Sequence, residues 1–83
     1  MEQVARIPKQ LGAIIKRERR RQGLTQQQLG EKIRMRQATV SELEAGKPVA
    51  KLQTLVHVLS ALQLEIVIRP RSRESAEKIE DVF

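Results

Sequence analysis

Residues 23–47 read GLTQQQLGEKIRMRQATVSELEAGK, and the punctuation inside this stretch decides the fold. Thr25 followed three residues later by Gln28 has the form of a capping box. Leu24 and Leu29 sit where a hydrophobic staple would clasp the entry. The spacing predicts a short helix over Gln26–Ile33 with Leu29 and Ile33 facing inward. Arg34, Met35 and Arg36 make a turn. A second short helix then runs from about Gln37 to Ala45 with Val40 and Leu43 inward. Gly46 suits the left-handed residue that follows a helix, and Pro48 blocks continuation.

Upstream, Pro8 fits the first turn of a helix, where its missing N–H is not needed. Leu11, Ile14 and Ile15 repeat at helical spacing, Ile7 and Arg19 extend the stripe, and Gly23 ends it. Downstream, a fourth helix covers about Lys51–Leu62, with Leu52, Leu55, Val56, Leu59 and Leu62 marking one face. The period then changes. Leu64 to Arg69 is a short β-branched run closed by Pro70 and reads as one strand, the alternative being an extension of the fourth helix. A lone strand in a helical chain has no internal partner, and an unpaired edge is a template for a second copy. Leu64, Ile66, Val67 and Ile68 are therefore the expected dimerisation residues. The chain divides into an arm (1–7), a helical domain (8–63), a dimerisation strand (64–70) and a polar tail (71–83) in which Ile79, Val82 and Phe83 are the possible anchors. The fold class is all-α, a bundle of four to five helices with a short C-terminal strand that pairs across a homodimer.

Composition narrows the functions. With 83 residues the chain holds one small domain, which gains stability from dimerisation. Its only aromatic residue is Phe83, so the core is aliphatic. The absence of cysteine excludes disulfides and thiolate metal sites. No apolar run approaches the roughly 20 residues of a bilayer span and no signal pattern opens the sequence, so a cytoplasmic protein with no membrane partner is expected. The net charge of +6 is concentrated in residues 1–36, which carry ten Lys/Arg against three acids. Such a surface favours polyanions, nucleic acid first. No serine has the His–Asp company of a nucleophile, His57 stands alone, and the glycines form no phosphate loop. Neither an enzyme nor a cofactor is expected.

Two short helices joined by a three-residue turn are the sequence form of a helix-turn-helix. The first helix holds the second away from the body so that it can enter the major groove of double-stranded DNA. With Val40, Leu43 and Glu44 facing the body, Gln37, Ala38, Ser41 and Glu42 point outward and Arg36 stands at the leading edge. Gln matches adenine at two points, Arg matches guanine likewise, and Ala fits a thymine methyl. These five are the expected base readers. Thr25 and Gln26 at the start of the holder helix, with Arg34 and Lys47, are the expected phosphate contacts. Arg17, Arg20 and Arg21 stay open between phosphate contact and solvated charge, and Gln27 reads as an exposed helix residue.

The marks Gly23-Leu24-Thr25-Gln26, Leu29, Ile33, Gln37, Val40-Ser41, Glu44 and Gly46 resemble the Cro/C1-type (XRE-like) helix-turn-helix family, the lambda-repressor-like fold, over residues 8–62. Departures are Gly30, where the family usually has Ala, and the Arg34-Met35-Arg36 turn, where many members have Gly. The resemblance implies that Arg19 pairs with Glu44 and ties the first helix to the reader. The stretches RQATVSELEAG, LQTLVHVLSALQL and LEIVIRPR are similar, more narrowly, to HipB-type antitoxins. That likeness implies a strand paired across the homodimer, repression at a roughly palindromic operator, and a HipA-like serine/threonine kinase toxin as partner. Two alternatives stay open: a stand-alone XRE-family regulator without a toxin, and a kinase-inhibiting interaction module with weak DNA binding.

Overall fold

The computed structural model describes residues 2–47 and 51–71. Among them are four helices: α1 (Pro8–Arg21), α2 (Gln26–Lys32), α3 (Gln37–Glu44) and α4 (Leu52–Ala61). Each begins and ends within two residues of the expected limits. Pro8 occupies the first turn of α1, and Gly23 at φ 73° turns the chain out of it. The capping box at α2 is complete. Thr25 Oγ1 accepts from the Gln28 N–H at 3.0 Å, and Gln28 Oε1 accepts from the Thr25 N–H at 2.8 Å. Two of the orphan N–H groups of this helix start are thereby satisfied.

The turn between α2 and α3 accounts for both departures from the family pattern. Arg34 adopts φ 55°, the left-handed conformation that glycine takes without strain. The chain then folds back so that the Met35 N–H donates to the Gly30 carbonyl at 2.8 Å. A Cβ on Gly30 would lie 2.6 Å from the Met35 carbonyl oxygen. Glycine here is the condition for a tight turn, and its weak helix propensity is the smaller effect. Gly12 does the same for helix packing. A Cβ there would run into the carbonyl oxygens of Leu43 and Glu44, so α1 and the end of α3 approach through bare backbone.

Ile15, Leu29, Val40, Leu43, Val58, Leu59 and Leu62 form the buried core, with Leu11, Leu24, Ile33, Met35, Leu55 and Leu64 packed against it. Every apolar residue expected inward on α2 and α3 is in this set, and Glu44 is buried beside it. The α4 stripe differs from the expected one. Val58 is fully buried, whereas Leu52 is 70% and Val56 46% exposed. Leu55, Val58, Leu59 and Leu62 follow the i, i+3, i+4, i+7 spacing of one face, and Leu52 and Val56 lie on the row beside it. Ile7 also leaves its expected stripe. It is the extended residue before α1 and is exposed.

Beyond α4, Gln63 takes φ 59° and the Leu64 N–H donates to the Leu59 carbonyl at 2.7 Å, which redirects the chain. Gln22 Nε2 donates to the Leu62 carbonyl at 2.9 Å and ties this corner to the end of α1. Residues 64–71 form no strand in the single chain. The strand expected over 64–70 needs a ladder partner, and one copy of the chain does not supply it. Leu64 is half-buried against the core, while Ile66, Val67 and Ile68 are exposed, Ile68 at 95%. Arg69 pairs with Glu2 at 2.6 Å and so links this segment to the N-terminal arm. Pro48 and the anchors Ile79, Val82 and Phe83 lie outside the described residues.

Candidate nucleic-acid interface

The site starts from a buried ion pair. Arg19 Nε donates to Glu44 Oε2 at 2.6 Å and Nη2 donates to Glu44 Oε1 at 3.0 Å, a two-point fork. The third nitrogen, Nη1, donates to the Leu24 carbonyl at 2.7 Å. The two side chains are only 8% and 3% exposed. Donation to the Glu44 carboxylate holds the Arg19 guanidinium above its usual range against the opposing effect of burial. The pair implied by the resemblance is thus in place. It joins α1 to the last turn of α3 and also anchors the loop before α2.

A polar chain runs outward from it. Gln26 Nε2 donates to Glu44 Oε1 at 3.2 Å, and Gln26 Oε1 accepts from Gln37 Nε2 at 3.3 Å. Gln37, the first residue of α3, is therefore aimed through two hydrogen bonds by a carboxylate that is itself locked. Gln37 is exposed, and the second N–H and the carbonyl oxygen of its amide have no hydrogen-bond partner among the described residues; an amide N–H and carbonyl together match an adenine edge. No buried side-chain nitrogen or oxygen among the described residues lacks a partner.

The structure brings most of the expected base readers onto one exposed face. Arg36, Gln37, Ala38 and Ser41 are all exposed at the start and outer side of α3. Glu42 is half-buried, one step round the helix toward the body. The expected phosphate contacts divide. Thr25 and Gln26 line an open depression of about 410 Å³ together with Arg20, Gln27 and Gln37. Arg34 is exposed in the turn, and Lys47 lines a separate groove with the N-terminal arm. Gln26 differs from the simple expectation, since its amide already bridges Glu44 and Gln37. Arg20 and Gln27, both exposed, line this depression, a placement that sequence reasoning did not give. Their position four residues or fewer from Gly23 was the available signal, but the angle at which α1 meets α2 was not legible.

No group of His, Cys, Asp or Glu able to hold a metal occurs among the described residues, and no helix among them is long and apolar enough to cross a membrane. The site's chemistry is that of recognition by amides, hydroxyls and guanidinium groups.

Comparison with known proteins agrees with this geometry. Residues 15–68 match the family model described as helix-turn-helix. Antitoxin HipB of Escherichia coli (strain K12) is 33% identical over 73 residues, 88% of this chain and 83% of that protein. Among solved structures, HipB in a HipA–HipB–O2–O3 complex superposes with a TM-score of 0.78 at 31% identity, over 86% of this chain and all of that one. HipB in a complex with an O4 20mer gives the same TM-score of 0.78 and the same 31% identity over 86% of this chain. The chain belongs to the helix-turn-helix family and, within it, to the HipB antitoxins.

Proposed function

We propose that this chain is a sequence-specific DNA-binding repressor that acts as a homodimer and serves as the antitoxin of a toxin–antitoxin pair. It reads a roughly palindromic operator, represses the operon that encodes it, and binds and neutralises a HipA-like serine/threonine kinase. The observation that carries the reading is the exposed face of α3, with Gln37 aimed outward through Gln26 and Glu44. A surface built only to hold a protein partner has no need of a polar reader braced by a buried ion pair. The kinase half rests on the likeness to HipB, which has been solved in complex with HipA. Arg36, Gln37, Ala38, Ser41 and Glu42 read bases, and Thr25, Gln26, Arg34 and Lys47 hold phosphates.

Selection of duplexes from a randomised pool by the full chain tests the DNA half. The expected product is a two-fold symmetric site whose half-sites lie about 34–36 Å apart. Affinity should fall steeply with salt, because phosphate contacts release counterions. Co-purification with the product of the adjacent reading frame tests the antitoxin half. Capture of a kinase-like protein is expected, and a chain that binds operator but captures no neighbour is a stand-alone regulator.

A further inference from the structure

Four arginines, Arg17, Arg19, Arg20 and Arg21, crowd the last turns of α1, and the structure separates their roles. Arg19 is internal and bound to Glu44. Arg17 Nη1 donates to Gln3 Oε1 at 3.2 Å, and Arg21 Nη2 lies 2.8 Å from Glu18 Oε2. Both of those line the groove beside the N-terminal arm. Arg20 points elsewhere. Its side chain is exposed, meets no carboxylate among the described residues, and lines the depression next to Gln26 and Gln37. Everything else lining that depression is neutral except Arg19, whose charge is already matched by Glu44. The depression therefore presents one unmatched guanidinium among amide and hydroxyl donors, directly beside the first residue of the reader helix. A phosphate diester is the ligand whose charge and acceptor geometry complement this set.

We propose that Arg20 holds a backbone phosphate of the duplex whose bases α3 reads, and so fixes the register in which Gln37 meets its base pair. The inference rests on the DNA-binding reading above and adds a residue to it. Its consequence is electrostatic and independent of sequence. A homodimer holds two such phosphates, so Arg20→Ala should lower the slope of log affinity against log salt by about 1.8. The affinity ratio of the wild-type chain to this variant should then shrink about tenfold between about 50 and 200 mM salt.

The test uses the full chain on two probes: the duplex it enriches from a randomised pool and a scrambled duplex of the same composition. Arg20→Ala is expected to lose affinity on both by a similar factor and to show the reduced slope at an unchanged melting temperature. Arg20→Lys keeps the charge and should retain the wild-type slope. Arg21→Ala, which removes a charge from the neighbouring position held by Glu18, should also retain it. A wild-type slope in Arg20→Ala overturns the proposal. So does an equal reduction in Arg21→Ala, which would mean that only net charge matters, or a lost slope in Arg20→Lys. A wild-type chain that binds neither duplex overturns the DNA-binding reading itself, and that failure is visible before any variant is compared.

Discussion

Removing the Arg19 side chain would leave the Glu44 carboxylate buried with only the Gln26 amide for company. Breaking a buried pair from one side costs about 3–5 kcal/mol, mostly for the charge left behind. Arg19→Ala should therefore melt well below the wild-type chain, and its DNA binding should weaken because Gln26 and Gln37 lose their anchor. An unchanged melting temperature with weakened binding would make Arg19 a direct phosphate contact. The same chain of bonds makes Gln26 and Gln37 a coupled pair. Gln37→Ala should cost about 1–3 kcal/mol on the operator and relax preference at one base pair per half-site. In a double-mutant cycle with Gln26→Ala, the two losses should fall short of additivity by at least about 0.5 kcal/mol. Strict additivity would show that the Gln26–Gln37 bond does not orient the reader. At this scale the sequence was informative where chemistry is local. Thr25 and Gln28 announced their cap, and Val40, Leu43 and Glu44 had to turn inward if Gln37 and Ser41 turned outward. The bridging role of Gln26 was not legible, because it depends on a Glu 18 positions away.

The helix-turn-helix itself depends on a backbone compromise between α2 and the turn. Alanine is the better helix former at position 30 by up to about 1 kcal/mol, so propensity alone predicts that Gly30→Ala stabilises. The Met35 carbonyl occupies the space that the new methyl needs. Overpacking against backbone costs about 1–3 kcal/mol, which reverses the sign. Gly30→Ala should lower the urea midpoint, and a raised midpoint would show that the turn can open without loss. Arg34 provides the opposite test. Its left-handed φ of 55° costs a residue with a side chain about 1 kcal/mol. Arg34→Gly should therefore raise the midpoint while weakening duplex binding. A variant that is more stable and binds as tightly would remove Arg34 from the phosphate contacts. Element existence was legible because caps, glycines and spacing agreed for α1, α2 and α3. The face of α4 was less so. Its run LQTLVHVLSA is apolar at so many positions that two overlapping rows fit the period, and only packing against α1–α3 selects Val58 over Leu52 and Val56.

For the whole molecule, most of the large apolar side chains left bare among the described residues lie on α4 or just beyond it, with Val4 and Ile7 of the N-terminal arm as the others. Leu52 and Val56 on α4 and Ile66, Val67 and Ile68 beyond it are all exposed, against seven buried hydrophobic residues in the core among the described residues. A domain of this size gains most from covering such surface with a second copy. Pairing of residues 64–69 about a two-fold axis would supply the missing ladder, and alternation would set Ile66 and Ile68 on the side of Leu64, which already rests on the core. The ladder has to stop at Pro70, which has no N–H to donate. Dimerisation then fixes the separation of the two reader helices, and it makes the half-sites bind together. An Ile66→Pro chain should lose a ladder hydrogen bond at the centre of the segment while leaving α1–α4 and their core intact. It is expected to sediment as a monomer, to keep its helical circular dichroism, and to bind an operator half-site with little dependence on the second half. Ile66→Val, which keeps the β-branched face, should remain dimeric. If Ile66→Pro stays dimeric with undiminished operator affinity, the segment is not the dimer element. The exposed row of Leu52 and Val56 on α4 then takes its place, and Val56→Asp is the variant that should separate the copies.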